Sequence, residues 1–168
     1  EVVALDLVED LYEHCRTYVF NQLGIKHETD AGYGKGWDMV RTEFLRQMKR
    51  LKTLGYQVIY ISKEVVTEIT YASGAKVSTF KPNIPDKIAN VLAGTVTLTL
   101  RAYMDERGRY LNLRKAENIF GGGRIDFKRD TCALDVKDFA NALAEAQNVP
   151  TTRANSEPVV ANAQVQSE

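Results

Sequence analysis

Two short apolar runs constrain this chain more than any other feature. "VVALDL", residues 2–7, and "YQVIYIS", residues 56–62, are rich in valine and isoleucine and show little of the polar alternation of a half-buried strand. Such runs suit strands buried on both faces, as in a parallel sheet. Between them, "VEDLYEHCRTYVFNQLG" repeats Val8, Leu11, Tyr12, Cys15, Val19 and Leu23 at three- and four-residue intervals and ends at Gly24, where a helix C-cap would stand. "WDMVRTEFLRQMKRLKTLG" does the same with Met39, Val40, Phe44, Leu45, Met48, Leu51 and Leu54, ending at Gly55. Strand, helix, helix and strand in this order require a parallel crossover and predict an α/β sheet covered on both faces.

Beyond Glu64 the pattern changes. "EVVTEITYASGAKVSTFKP" alternates β-branched and polar residues around "ASGAK" and predicts a β-hairpin projecting from the end of a core strand. "NIPDKIANVLAG" predicts a short helix with Pro85 near its first turn, and "TVTLTLRAYMDERGRYLNLRK" a hairpin turning at "DERG". "LDVKDFANALAEA" predicts a final amphipathic helix. With 168 residues, 44% hydrophobic and 26% charged, one domain is expected over residues 1–148. Residues 149–168, which lack periodicity, are expected to form a disordered tail.

Twenty-two basic and 22 acidic residues cancel, so contact with nucleic acid or an anionic membrane would need a local patch. No apolar run reaches the roughly 18–20 residues of a membrane span. Cys15 and Cys132 lack metal or disulfide spacing, which agrees with a reducing cytoplasm. The chain opens at Glu1 directly into a strand, and is therefore expected to be a fragment of something longer.

Several residues carry candidate chemistry. Asp6 ends an apolar strand, where an aspartate either holds magnesium beside a phosphate crevice or caps the following helix. Ser62 ends the second strand and either faces the same crevice or bonds to nearby backbone. "GYGKGW", residues 32–37, resembles a phosphate loop but is not a Walker A motif: Lys35 is followed by Gly36 where a hydroxyl should stand, and the loop follows a helix instead of a strand. Its structural reading is a turn needing positive φ, with Trp37 anchoring the next helix and Asp38 in its first turn. "GGGR", residues 121–124, fails the same test. Lys63, Lys76 and Lys81 around the first hairpin, and Arg114, Lys115, Arg124, Lys128 and Arg129 further on, form either phosphate contacts or a solvated face. Tyr71 and Phe80 could stack on bases or pack on their own sheet.

Taken together, "VVALDLVEDLYEHC", the segment from "GIKHETD" through "GYGKGW" to "YQVIYISKE", "FKPNIPDKIANVLAG" and "GGGR" resemble the RecA-like P-loop ATPases of tailed phages, some of which act in single-strand annealing and recombination. The likeness runs from about Val2 to about Leu143, and "YGKGW" is its most specific element. It implies a RecA-like core with a mostly parallel sheet, hairpin additions and a C-terminal helix, with the Walker A loop upstream of Glu1. It makes Asp6 the Walker B aspartate associated with Mg2+, and Ser62 a sensor residue near the γ-phosphate of ATP. Arg114, Lys115 and Arg124 would lie near nucleotide across a subunit interface. Lys35, Lys63, Lys76 and Lys81 become candidates for binding single-stranded DNA.

The resemblance further implies a homo-oligomeric ring or filament working in a bacterial host's cytoplasm on recombination or replication. Three positions depart from the family pattern: Leu7 replaces a threonine, Lys63 a histidine and Thr97 an acid. They favour an alternative, a non-catalytic module for single-stranded DNA binding or annealing on the same fold. As a fragment without a phosphate loop, these residues alone are expected not to hydrolyse ATP.

Overall fold

The structure is a computed structural model and describes residues 1–147. The tail expected at 149–168 lies outside the described residues. Strand β1 (Val2–Asp6) leads into helix α1 (Val8–Leu23), a 3-10 turn (Glu28–Ala31), helix α2 (Lys35–Thr53) and strand β2 (Gln57–Ile61). β1 and β2 pair in parallel, with Val2 opposite Gln57 and Asp6 opposite Ile61. The predicted crossover is therefore present, and both its helices fall where the apolar spacing put them.

One face of this strand pair packs on helices. Leu5 and Tyr60 join a core of Val8, Tyr12, Val19, Phe20, Val40, Phe44, Ile88 and Leu92. Phe44 meets Tyr12 edge to face, with centroids 5.3 Å apart. Each large side chain buried here contributes roughly 1.5–3 kcal/mol. The other face is bare: Ile59 is 52% exposed and Ile61 40%, and Val2 and Ala4 are exposed beside them.

Strands β3 (Glu64–Thr70) and β4 (Lys76–Pro82) form the first predicted hairpin, and helix α3 (Asp86–Thr95) starts directly after Pro85. Then come β5 (Leu98–Thr99), β6 (Arg101–Asp105), β7 (Gly108–Asn112), β8 (Gly122–Gly123), β9 (Thr131–Ala133) and helix α4 (Val136–Gln147). β5 pairs with β8, while β7 lies between β6 and β9, all antiparallel. A second core gathers Leu113, Phe127, Cys132 and Ala142. Asp138 anchors α4 there: its carboxylate accepts from the Ala133 N–H at 2.7 Å and from Arg129 at 2.9 Å, which together hold its pKa below the usual value.

The mixed α/β character stands, but the mostly parallel sheet expected from the resemblance is corrected. β1–β2 is the one parallel strand pair among the described residues, beside an isolated parallel bridge between Phe80 and Ile119, and the other three sheets are antiparallel. The hairpin connections explain this. Turns as short as Tyr71–Ala75 or Asp105–Gly108 can join only antiparallel neighbours. The second hairpin is also shorter than predicted: residues 101–112 form it, while Leu98–Thr99 leaves to pair with the glycine turn.

The "GYGKGW" loop is built differently from its sequence reading. Gly32 and Gly34 do take positive φ, 91° and 72°, and Asp38 does lie in the first turn of α2. Trp37, however, is 54% exposed, and the close contact at the start of the helix is made by buried Gly36. A Cβ added at Gly36 would meet the Glu28 Cα at 2.7 Å. Glu28 is in turn 7% exposed and held by Arg16, whose Nε donates to its carboxylate at 2.6 Å.

Two predictions follow from this clamp. Gly36→Ala should cost about 1–3 kcal/mol through overpacking, read as a lowered thermal midpoint. Burial is the largest single influence and raises the Glu28 pKa, but the Arg16 hydrogen bond, a backbone hydrogen bond and the charge of Arg16 together outweigh it and hold the carboxyl below its ordinary 4.5. A depressed folded-state pKa means the clamp's stability is whole above about pH 4.5 and is lost as pH falls through the folded value. Denaturation at pH 7 and in acid should show Glu28→Gln costing about 1–3 kcal/mol at pH 7 and progressively less below pH 4.5.

Candidate functional site

The parallel pairing sets Asp6 and Ser62 at neighbouring strand ends. Asp6 closes β1 opposite Ile61, and Ser62 is the next residue of the adjoining strand. The Asp6–Leu7 peptide bond is cis. Helix α1 has Leu7 as its N-cap and no side-chain cap, so the helix-capping reading of Asp6 does not hold. Its carboxylate is exposed and has no hydrogen-bond partner among the described residues.

Ser62 is already engaged. Its hydroxyl accepts from the Asn83 N–H at 3.2 Å and donates to the Lys63 carbonyl at 3.3 Å. The Asn83 N–H also reaches the Lys63 carbonyl at 2.9 Å, which ties the end of β4 to the end of β2. Ser62 therefore terminates its strand while sitting beside the candidate crevice.

Glu9, which the sequence reading did not single out, completes this corner. Its Oε1 accepts from the Lys63 N–H at 2.9 Å, bridging the first turn of α1 to the end of β2. Its Oε2 is buried without a partner. The available signal was positional: an acid three residues past a strand-ending aspartate falls in the first turn of the following helix.

The basic candidates separate into groups. Arg114 and Lys115 border a cavity of about 310 Å3 with Gly122 and Asp126, and Arg114 pairs with Asp130 at 3.3 Å. Arg124 borders that cavity and also a groove of about 1080 Å3 that contains Ser62 and Lys63. Of the three, Arg124 alone shares a groove with Ser62. The glycines before it have a packing role: a Cβ on Gly123 would meet the Leu98 Cα at 3.0 Å, so β8 can lie against β5 only without a side chain there.

On the hairpin, Lys76 pairs with Glu68 at 3.0 Å and Lys81 with Asp86 at 2.8 Å. Lys35 and Lys63 are exposed and have no ion pair among the described residues. Tyr71 donates its hydroxyl to Glu117 at 2.9 Å, and Phe80 lies beneath the Arg101 guanidinium at 3.9 Å, where Glu64 also pairs with that arginine. Both aromatics are used within the protein. No group of three metal-ligating side chains occurs among the described residues.

These contacts separate structural from ligand-directed roles. Asp6→Asn should change unfolding free energy by less than about 0.5 kcal/mol, since it removes no bond among the described residues. Ser62→Ala should cost at most about 1 kcal/mol, because the Asn83 N–H keeps its second acceptor. Glu9→Ala should cost about 0.5–1.5 kcal/mol through loss of the hydrogen bond from the Lys63 N–H. Urea denaturation of the three variants measures this order.

A family model described as an AAA domain matches residues 1–125, well over half of the chain. Searches of curated proteins and of solved structures find no match. The matched span includes Asp6, Ser62, the glycine loop and Arg124, and no described helix is long and apolar enough to cross a membrane. The chain belongs to the AAA domain family, whose members are P-loop NTPase-like, nucleotide-binding domains of ATPase type.

Proposed function

We propose that this chain forms part of a RecA-like ATPase of a phage recombination or replication system. Its carboxyl strand ends would face the phosphates of Mg-ATP. The observation carrying this reading is Asp6, a carboxylate without a hydrogen-bond partner among the described residues, at the end of a parallel strand directly beside the strand that leads to Ser62. Ligands of open α/β sheets bind at this edge.

The donor set fits magnesium in one respect: the ion commonly takes one or two carboxylates, waters and phosphate oxygens instead of a full protein cage. Asp6 would hold it, directly or through water. Once bound, the ion would neutralise charge developing on the phosphates. Ser62 would place its hydroxyl near the outer phosphate, and Glu9 would keep the Lys63 backbone, and so the end of β2, fixed against α1. The sequence contains no G-x-x-x-x-G-K-[ST], so the phosphate loop would be supplied from outside these 168 residues. Arg124 is the best placed of the cationic candidates to meet nucleotide, whereas Arg114 and Lys115 would serve a neighbouring subunit's edge in a ring or filament.

The test uses a complete reading frame containing this chain. Mg-dependent ATP hydrolysis should fall about 100-fold or more in Asp6→Asn, equivalent to roughly 2.7 kcal/mol of transition-state stabilisation. Unchanged hydrolysis, or a frame without a phosphate loop, would overturn the reading.

A second reading is a non-catalytic module that binds single-stranded DNA. It is favoured by Leu7, Lys63 and Thr97 and by the exposure of Lys35 and Lys63, which have no ion pair among the described residues. Lys76 and Lys81 would first have to give up their carboxylate partners, which weakens the hairpin as a DNA surface. If Lys63 meets a phosphate, Lys63→Ala should reduce the salt slope of single-strand affinity by about 0.7. An unchanged slope would remove Lys63 from the DNA surface.

A further inference from the structure

The hairpin β3–β4 has one edge in use and, among the described residues, one edge without partners. At its turn the Tyr71 N–H donates to the Ala75 carbonyl at 2.9 Å, which makes these two a hydrogen-bonded pair. Such pairs alternate along an antiparallel ladder, so the register makes Ile69–Val77, Thr67–Thr79 and Val65–Lys81 the next bonded pairs. Phe80 agrees with this alternation. Its N–H donates to the Asn118 carbonyl and its carbonyl accepts from the Phe120 N–H, both at 2.8 Å and both on the side away from β3. On β3 the same alternation turns the N–H and C=O groups of Glu64, Val66, Glu68 and Thr70 away from β4. None of these groups has a hydrogen-bond partner among the described residues.

We propose that this edge pairs with the same edge of a second copy of the chain, β3 against β3 about a two-fold axis at Thr67, to form one antiparallel sheet from two hairpins. The proposal does not rest on nucleotide binding. Solitary edges are commonly guarded by lysine, proline or a bulge. "EVVTEIT" contains neither lysine nor proline, and its register with β4 runs unbroken from Glu64 to Thr70. Val66 on one face of the hairpin is 58% exposed and Ile69 on the other 47%.

Charge selects the register and the partner. A two-fold pairing brings outward groups opposite outward groups only when its axis passes through a residue. Centred on Val66, it would set Glu64 opposite the partner's Glu68; centred on Glu68, it would oppose the two Glu68 carboxylates. Like charges directly opposite each other destabilise a sheet. Centred on Thr67, Glu64 meets the partner's Thr70 and Val66 meets the partner's Glu68, so every outward group is paired and no carboxylate opposes another. On the other face Ile69 meets the partner's Val65. The strand is thus complementary to itself. A two-fold contact closes on itself, so it is separate from the contacts of a ring or filament. It is also small, which makes covalent trapping the suitable readout.

The test is disulfide trapping in the 168-residue chain carrying Thr67→Cys. Residue 67 would face its own copy in a non-hydrogen-bonded pair, with Cβ atoms about 4.5–5.5 Å apart and close to disulfide reach. Under mild oxidation a dimer joined through residue 67, identified by peptide mass, should form about tenfold or more faster than one from Ile69→Cys, although Ile69 is exposed and Thr67 half-buried. The unmodified chain, with Cys15 half-buried and Cys132 buried, is the control. Adding Val66→Pro removes an outward N–H and no bond within the hairpin, and should abolish the cross-link. Adding Thr70→Glu leaves the hairpin intact, since residue 70 lies opposite Lys76, but sets a carboxylate against the partner's Glu64 and should slow the cross-link about threefold or more. The proposal is overturned if Thr67→Cys gives no dimer, if Ile69→Cys cross-links as fast, or if either added substitution leaves the rate unchanged. It is also overturned if cross-linking appears only after truncation beyond Gln147, which would make the chain's own last residues the occupant of the edge.

Discussion

Backbone pairing between Val2–Asp6 and Gln57–Ile61 is the interaction from which the rest of this structure takes its arrangement. A parallel pair needs a long crossover, and here that crossover is α1, the Glu28 turn and α2. Packing those helices on one face of the strands builds the main core around Val8, Val40 and Phe44. It also fixes where both strands end. Asp6 and Ser62 are neighbours because the register makes them so, although 55 residues of sequence lie between them.

The crossover depends on a second contact, the clamp at its midpoint. Arg16 on α1 holds Glu28, and Glu28 backbone lies against Gly36 at the start of α2. A buried carboxylate without a cation would be costly, and a side chain at residue 36 would have no room. The loop that displays Tyr33, Lys35 and Trp37 to solvent is therefore carried on a firmly packed base. Its resemblance to a phosphate loop is compositional. Its glycines serve turn geometry and close packing, and it enters α2, which does not lead from the candidate crevice.

What could be read from the sequence was whatever is local. Val8, Tyr12, Val40 and Phe44 recur at helical spacing, and all are buried. "ASGAK" and "DERG" turn where turn chemistry put them. The short strands β8 and β9 were not legible, because "GG" and "TCA" carry no pattern and pair only through tertiary context. Trp37 misled because bulk suggests an anchor, while the close approach actually made required the smallest residue in the loop. At the site, Asp6 and Ser62 were legible from their position after apolar runs. Glu9 was not, since its bond to the Lys63 N–H joins elements 54 residues apart. The paired state of Lys76 and Lys81 was likewise a matter of partners that only the fold reveals.

The central claim is that the carboxyl ends of the parallel pair face nucleotide phosphates. Paramagnetic broadening by Mn2+-ATP, with manganese in place of magnesium, tests it most directly in a protein that carries this chain together with a phosphate loop. The account predicts selective broadening of amides at Asp6–Val8 and Ser62–Lys63. Broadening centred instead on Arg114, Lys115 and the Gly122 turn, or none at Asp6 with nucleotide bound, would contradict it.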